Sequence, residues 1–300
     1  MKFIYLVKRN FLIFIRDRGA VFFSLLSMLI IIVLMAVFLG NMNVDELLDL
    51  LTRYGGIRNT QEDREHAQYL VLMWTIAGIL VVNSVTVSLA VLGTMVTDAQ
   101  EQRLMSFYTA PVKRIEIALG YIVTSVIVSA AMCFLTFILA EIWVWGKGWE
   151  LPGMQEHIRI TGLIILDSIA ASAILYLAAM WVKSSSAWSA MGTVVGTLVG
   201  FVGAIYLPMG MLPEAVGKVL KCTPVLHGTA LMRGLLTRQA VEVTFAGLDG
   251  QVAAGYREAM GITILWDESE ISPLFSICFL AGCVIIAIAA AAVCMKRRKA

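Results

Sequence analysis

The stretch LVLMWTIAGILVVNSVTVSLAVLGTMV, residues 70–96, runs 27 residues without a charged side chain. As a helix it is long enough to cross a hydrocarbon core of about 30 Å. Working outward along the chain, comparable apolar runs fall at about 20–40, 117–141, 160–182, 187–207 and 272–295. The composition agrees: 59% of the 300 residues are hydrophobic and 15% charged, with a mean hydropathy of +0.84. A soluble domain is about 45–50% apolar and about 25% charged. The expected fold is an all-α membrane protein with six transmembrane helices.

Six spans put both ends on one side, and the basic residues choose which side that is. Thirteen of the 23 Lys and Arg lie in the short segments 1–18, 103–114, 183 and 296–299. That side reads as the cytoplasm, with both termini inside. Residues 1–19 predict a helix preceding a single transmembrane domain over 20–300. In it Lys2, Arg9 and Arg16 recur every seven residues, and Ile4, Val7, Phe11 and Phe14 follow the spacing of an apolar face. Such a helix lies in the headgroup layer. No cleavable signal peptide is expected, because the first run is too long for a signal core. The cysteines, Cys133, Cys222, Cys278, Cys283 and Cys294, show neither a disulfide pattern nor metal spacing.

The outer segment 208–271 opens with Pro208, Pro213 and Pro224 among short helix-compatible stretches. Proline starts helices and breaks them, so 208–236 reads as a re-entrant or outer hairpin whose backbone other parts of the protein shield. The more polar half, 237–272, reads as a small external cap.

Catalytic sets are missing. The chain carries no GxxxxGK[ST] phosphate loop, no GxSxG elbow and no HExxH pair. If ATP drives this protein, another chain brings the ATP and its Mg. Within the spans charge is scarce. Glu141 ends the third run and Asp167 lies inside the fourth, where an acid costs about 2.5–3.5 kcal/mol. Asp167 either contacts a cation or substrate, or hydrogen-bonds a Ser or Thr of a neighbouring helix; with no second buried charge to form a relay, the hydrogen bond is the expectation. Gly192, Gly196 and Gly200 form a ladder along which another helix can approach closely. Thr193 and Thr197 beside it, and Asn83 and Thr86 in the second run, face either a substrate path or neighbouring helices.

The segment DAQEQRLMSFYTAPVKRIE, residues 98–116, joins the second and third runs on the basic side. Leu104, Phe107 and Tyr108 share one helical face that Pro111 ends, a shape that suits a partner's groove. This segment resembles the cytoplasmic coupling helix of the ATP-binding-cassette type-2 export permeases, matching at Glu101, Leu104, Phe107, Tyr108, Pro111, Val112, Arg114, Glu116 and Gly120. The family's usual Gly-Thr before the first Leu is replaced here by Gln102-Arg103. A second stretch, Tyr206 to Pro213 followed by Thr223-Pro224-Val-Leu-His227 and Leu231-Met-Arg233, resembles the drug- and antibiotic-exporting branch.

The resemblance implies a dimeric permease, homo- or heterodimeric, in the plasma membrane, with ABC ATPase subunits docked beneath and no nucleic-acid partner. It implies that 98–113 couples to the ATPase, with Arg103 among the contacts. A substrate path would lie along the second and fifth spans, and Pro208, Pro213, Pro224, His227 and Arg233 would belong to an outer gate. The alternatives are a polysaccharide or lipid-linked glycan exporter, and an ATP-independent channel or secondary carrier. A carrier of that kind predicts inverted repeats or paired buried charges, and the sequence shows neither.

Overall fold

The computed structural model describes residues 2–34, 40–55, 60–104, 112–266 and 269–297, nearly all of them helical. The chain begins with α1 (Lys2–Arg16), α2 (Arg18–Leu34) and α3 (Gly40–Gly55). Four helices follow: α4 (Thr60–Gln100), α5 (Arg114–Gly146), α6 (Met154–Ala179) and α7 (Ser185–Val202). A 3-10 turn at Met209–Met211 leads into α8 (Glu214–Leu220), α9 (Pro224–Leu236), α10 (Arg238–Thr244) and α11 (Gly250–Ala259). A two-stranded antiparallel ribbon, β1 (Leu265–Trp266) and β2 (Ser269–Glu270), precedes α12 (Pro273–Arg297).

Five of the described helices, α4 to α7 and α12, are long and apolar enough to cross a membrane. The first expected span corresponds to α2, whose described part has 17 residues. Its continuation, 35–39, lies outside the described residues.

The run at 70–96 is the middle of α4, which has 41 residues and a length of about 60 Å, twice the hydrocarbon core. It is the axis of the molecule, touching α2, α3, α5, α6, α7, α9 and α10. Its N-terminal turns carry α3, which buries Val44, Leu47 and Leu51, and α10, where the Thr244 hydroxyl reaches the His66 carbonyl at 3.3 Å.

Three spans meet along a seam of small residues. Ser84 and Ser88 of α4, Ser125 and Ser129 of α5, and Ser168 and Ser172 of α6 are each four residues apart and all fully buried. Ser172 Oγ donates to Ser125 Oγ at 2.8 Å, Ser129 Oγ to Ser168 Oγ at 3.1 Å, and Ser88 and Ser172 lie 3.1 Å apart. Between lipid-solvated helices such small, hydrogen-bonding faces supply the contact that hydrophobicity does not. The opposite faces of α5 and α12 stay exposed and apolar, with Ile138, Ile142, Ile285 and Ile286 outward, as lipid requires.

The prolines act as their positions predict. Pro208 precedes the 3-10 turn, Pro213 precedes α8, and Pro224 is the first residue of α9, capped by the Thr223 hydroxyl. Helix α9 lies against α4, α6, α7 and α12. At its point of contact with α6, Gly228 sits directly against the Asp167 carboxylate, and any side chain there would collide with it.

Candidate functional site

The C-terminal end of α4 gathers three other elements on the basic side of the protein. Asp98, 2% exposed, accepts two hydrogen bonds from Arg9 of α1, at 2.6 and 2.8 Å. It accepts a third from the Tyr121 hydroxyl of α5 at 2.6 Å. A guanidinium fork on a carboxylate is among the stronger and more directional ion pairs, and Asp98 raises the pKa of Arg9 further above its already high value. Two turns of α1 and α5 are brought together to make this possible. Gly120 lets Leu6 approach so closely that an added Cβ would stand 3.1 Å from Leu6 Cβ, and the Thr124 hydroxyl reaches the Val7 carbonyl at 3.3 Å. On the other side, Gln100 Oε1 accepts the Ser185 amide at 2.6 Å and Thr97 Oγ1 lies 3.2 Å from Ser185 Oγ, tying in the start of α7.

This geometry shows which side of α1 turns to the protein. The buried stripe of α1 is Leu6, Asn10 and Phe14, while Ile4 is 66% exposed. The helix is rotated from its apolar moment because the α5 glycine accepts Leu6 and the carboxylate draws Arg9 inward, out of the basic stripe.

The expected coupling segment begins where α4 ends. Gln102 adopts a left-handed backbone, φ 60°, and the chain turns. Arg103 then reaches Glu101 at 2.6 Å and Asp98 at 3.8 Å. Leu104 and Val112 pack half-buried against the core. Leu104 and Arg114 line a cavity of about 480 Å3 together with Tyr121, Tyr176, Lys183 and Met295. Glu116 opens α5 by accepting the Lys113 amide at 3.1 Å. Phe107, Tyr108 and Pro111 lie outside the described residues. The family's glycine falls at the left-handed position, where a side chain costs about 1–2 kcal/mol. Gln102→Gly is therefore expected to raise the melting temperature of the purified protein by a few degrees with transport unchanged; a lower melting temperature would show that the Gln102 side chain holds the turn.

On the opposite side, Arg233 of α9 is fully buried and clamps backbone. Its Nη2 donates to the Ala204 carbonyl at 2.8 Å and its Nη1 to the Met260 and Gly261 carbonyls at 3.1 and 3.5 Å. The guanidinium lies over the Trp74 ring at 4.1 Å, and Trp74 Nε1 donates to the same Met260 carbonyl at 2.7 Å. Both turns it holds are left-handed, Ala204 at φ 50° and Gly261 at φ 63°. A Cβ at 261 would meet Met209 at 2.8 Å and Arg233 at 3.1 Å, so glycine is required there twice over. His227 lies between Ser276 Oγ at 2.9 Å and the Lys221 carbonyl at 3.0 Å, with the Phe279 ring tilted by 32° against it at 4.3 Å. Of the hairpin residues expected from sequence, Arg233 thus packs on α4 and His227 on α12.

The glycine ladder of α7 is not one uniform groove. A Cβ at Gly192 would stand 2.9 Å from Leu89 of α4, Gly200 is filled by the Tyr206 ring, and Gly196 has nothing within 4 Å. Thr193 and Thr197 are exposed and bond their own helix, at 3.2 and 2.9 Å, along a face shared with Val194, Leu198 and Phe201. Asn83 faces α5, donating to Thr136 Oγ1 at 2.9 Å, and Thr86 bonds the Asn83 carbonyl at 3.4 Å. Glu141 near the C-terminal end of α5 pairs with His157 in the first turn of α6.

Asp167 departs from expectation. It is 5% exposed, yet its Oδ2 has no hydrogen-bond partner among the described residues. The adjacent hydroxyls on α6, Ser168 and Ser172, turn into the serine seam instead, and the helix facing the carboxylate offers a glycine.

Sequence signals for the junction existed only in part. Asp98 and Arg9 are visible as charges, but 89 residues separate them, and no spacing rule pairs them.

A search of curated proteins finds no match to the chain. A family model does match it, over residues 1–237, from α1 through the end of α9. Four of the five long apolar helices, α4 to α7, the N-terminal helix latched to the C-terminal end of α4 and the turn at Gln102 lie within that match. The chain belongs to the ABC-2 type transporter family and is a transmembrane component of an ABC transporter.

Proposed function

We propose that the chain is the permease half of an ATP-driven exporter that moves drugs, antibiotics or other amphipathic compounds out of the cell. A separate ATPase binds the ATP and Mg and docks beneath residues 98–113. The junction of Arg9, Asp98 and Tyr121 carries this reading. It ties α1, α4 and α5 together immediately beside the docking segment, so displacement of that segment reaches three helices at once. Both termini then lie in the cytoplasm, α2 makes the sixth span of a plasma-membrane protein, and the α8–α9 hairpin dips back into the membrane as an outer gate. The depth of Gly228, level with Asp167, supports that dip.

The test is uptake of fluorescent amphipathic dyes into inside-out vesicles holding the chain and its ATPase. ATP-dependent uptake, absent with a non-hydrolysable nucleotide, is the expected result. Movement that ignores ATP would make the chain a channel or carrier.

The exposed face of α7 is where a second permease fits. Gly196 is open within the protomer, so Gly196→Leu is expected to leave the protomer folded while breaking the pair, because close helix approach in lipid depends on small residues. Cysteines at 193 or 197 should crosslink between protomers in the native chain and fail to do so in Gly196→Leu. Unchanged crosslinking and transport in that variant would move the dimer surface elsewhere.

A further inference from the structure

Between α4, α6, α7, α9 and α12 lies a cavity of about 300 Å3, at the lower end of the range for small-molecule sites, about 300–1,000 Å3. Its walls are aliphatic, with Val85, Ile174, Val199 and Leu280 among them, and Asp167 is the one charged residue lining it among the described residues. Asp167 is 95% buried by its 5% exposure, and its Oδ2 has no partner among the described residues. The cavity reaches the surface of the protomer beside Leu198, which lines it and is 52% exposed, on the same face of α7 as Thr193 and Thr197.

We propose that this cavity is a binding site for a small lipophilic organic cation, with Asp167 as its counter-charge and the rim at Leu198 as its way in. The chemistry selects that class. A carboxylate among aliphatic walls calls for a positive partner. An inorganic cation such as Ca2+ needs about six to eight oxygen ligands. Among the described residues the only polar side chain in the lining besides Asp167 is Ser84, whose hydroxyl is committed to the Val81 carbonyl at 2.7 Å. An organic cation needs one charge partner and fills the remaining walls with its own apolar bulk. An anion of the same size meets a like charge with no donor to offset it. The tight approach of Gly228 to the carboxylate fixes the acid's position from the α9 side, so the outer hairpin and the site move together. This deepens the exporter reading by naming a substrate class, and it rests on that reading only for the step that follows binding.

The experiment is equilibrium binding of radiolabelled benzyltriethylammonium to the permease–ATPase complex in lipid nanodiscs, without ATP. Native protein is expected to bind it saturably and to ignore benzenesulfonate. Asp167→Asn, which keeps the shape and removes the charge, is expected to weaken binding at least tenfold. Leu198→Trp, which leaves the carboxyl untouched, is expected to weaken it also by closing the rim. Native-strength binding in Asp167→Asn, equal binding of the anion, or indifference to Leu198→Trp would each overturn the site. Should Asp167→Asn fail to assemble, the anion comparison and Leu198→Trp decide the matter. Because ATP is absent, cation binding without ATP-driven transport would refute the exporter and leave the site standing. Export of other compounds with no cation binding would do the reverse.

Discussion

Asp98→Ala is expected to abolish ATP-driven transport while the protein still inserts and still holds its spans. The carboxylate accepts two bonds from Arg9 and one from Tyr121, so its loss unties both α1 and α5 from the end of α4, while α1 keeps its packing on α5 at Gly120. Removing one member of a buried ion pair costs about 3–5 kcal/mol. Because the Arg9 side chain is 28% exposed, water recovers part of that, and about 2 kcal/mol of lost stability is expected. The bundle survives because the serine seam and the apolar face of α4 are untouched. Transmission is expected to fail, because α1 and α5 would no longer move with the segment proposed to meet the ATPase. Asp98→Asn should be intermediate, keeping an acceptor for Tyr121 without the charge. Arg9→Lys should resemble it, since an ammonium cannot present the two-pronged fork. The measurements are thermal unfolding, ATP hydrolysis and dye uptake on the same preparations. Full uptake by a stably assembled Asp98→Ala complex would show that the junction is a fastening without a part in coupling.

Arg233→Met is expected to loosen the outer hairpin selectively. Methionine keeps an apolar stem of similar reach against Trp74 but carries no donors. The Met260 carbonyl keeps its bond from Trp74 Nε1, whereas the buried Ala204 carbonyl loses the 2.8 Å bond from Arg233 and the Gly261 carbonyl its weaker one. A buried carbonyl left without a donor costs about 1–3 kcal/mol. The left-handed turn at Ala204 adds about 1–2 kcal/mol of strain that the clamp now holds down. A local loss of about 3 kcal/mol follows from these together, enough to speed hydrogen exchange over 204–211 and 260–264 by about a hundredfold while α5 and α6 keep their protection. Unchanged exchange in the hairpin would mean that its apolar contacts hold it without the arginine. If the hairpin gates the outer side, the same variant should leak dye without ATP.

Much of this protein is readable from its residues alone. An uncharged run such as 70–96 has one viable state in a bilayer, since a helix satisfies its own backbone polar groups. The spans therefore follow from hydropathy, and five of the six expected runs are long apolar helices. The helix starts at Pro213 and Pro224 follow from a ring that fixes φ and lacks a donor. The stretch at 98–116 carries its family resemblance in its residues alone. These are local signals, set by a residue and its near neighbours.

What the tertiary structure decided are the partnerships. Hydropathy says that α1 has an apolar side, but not that Leu6 and Asn10 are buried while Ile4 stands free; that rotation is set by Gly120 in α5 and by the carboxylate at the end of α4. Spacing shows a glycine ladder in α7, yet whether each rung is filled by Leu89, by Tyr206 or by nothing depends on how α4 and the following turn lie. Asp167 read as an acid awaiting a hydroxyl, and it meets a glycine and an aliphatic cavity because the hydroxyls beside it turn to the serine seam. In a membrane the apolar drive places helices without choosing their mutual rotation, since lipid satisfies any apolar face equally well. Rotation is chosen by small residues and by the few polar groups that must find one another, and those pairings join positions as far apart in sequence as Arg9 and Asp98.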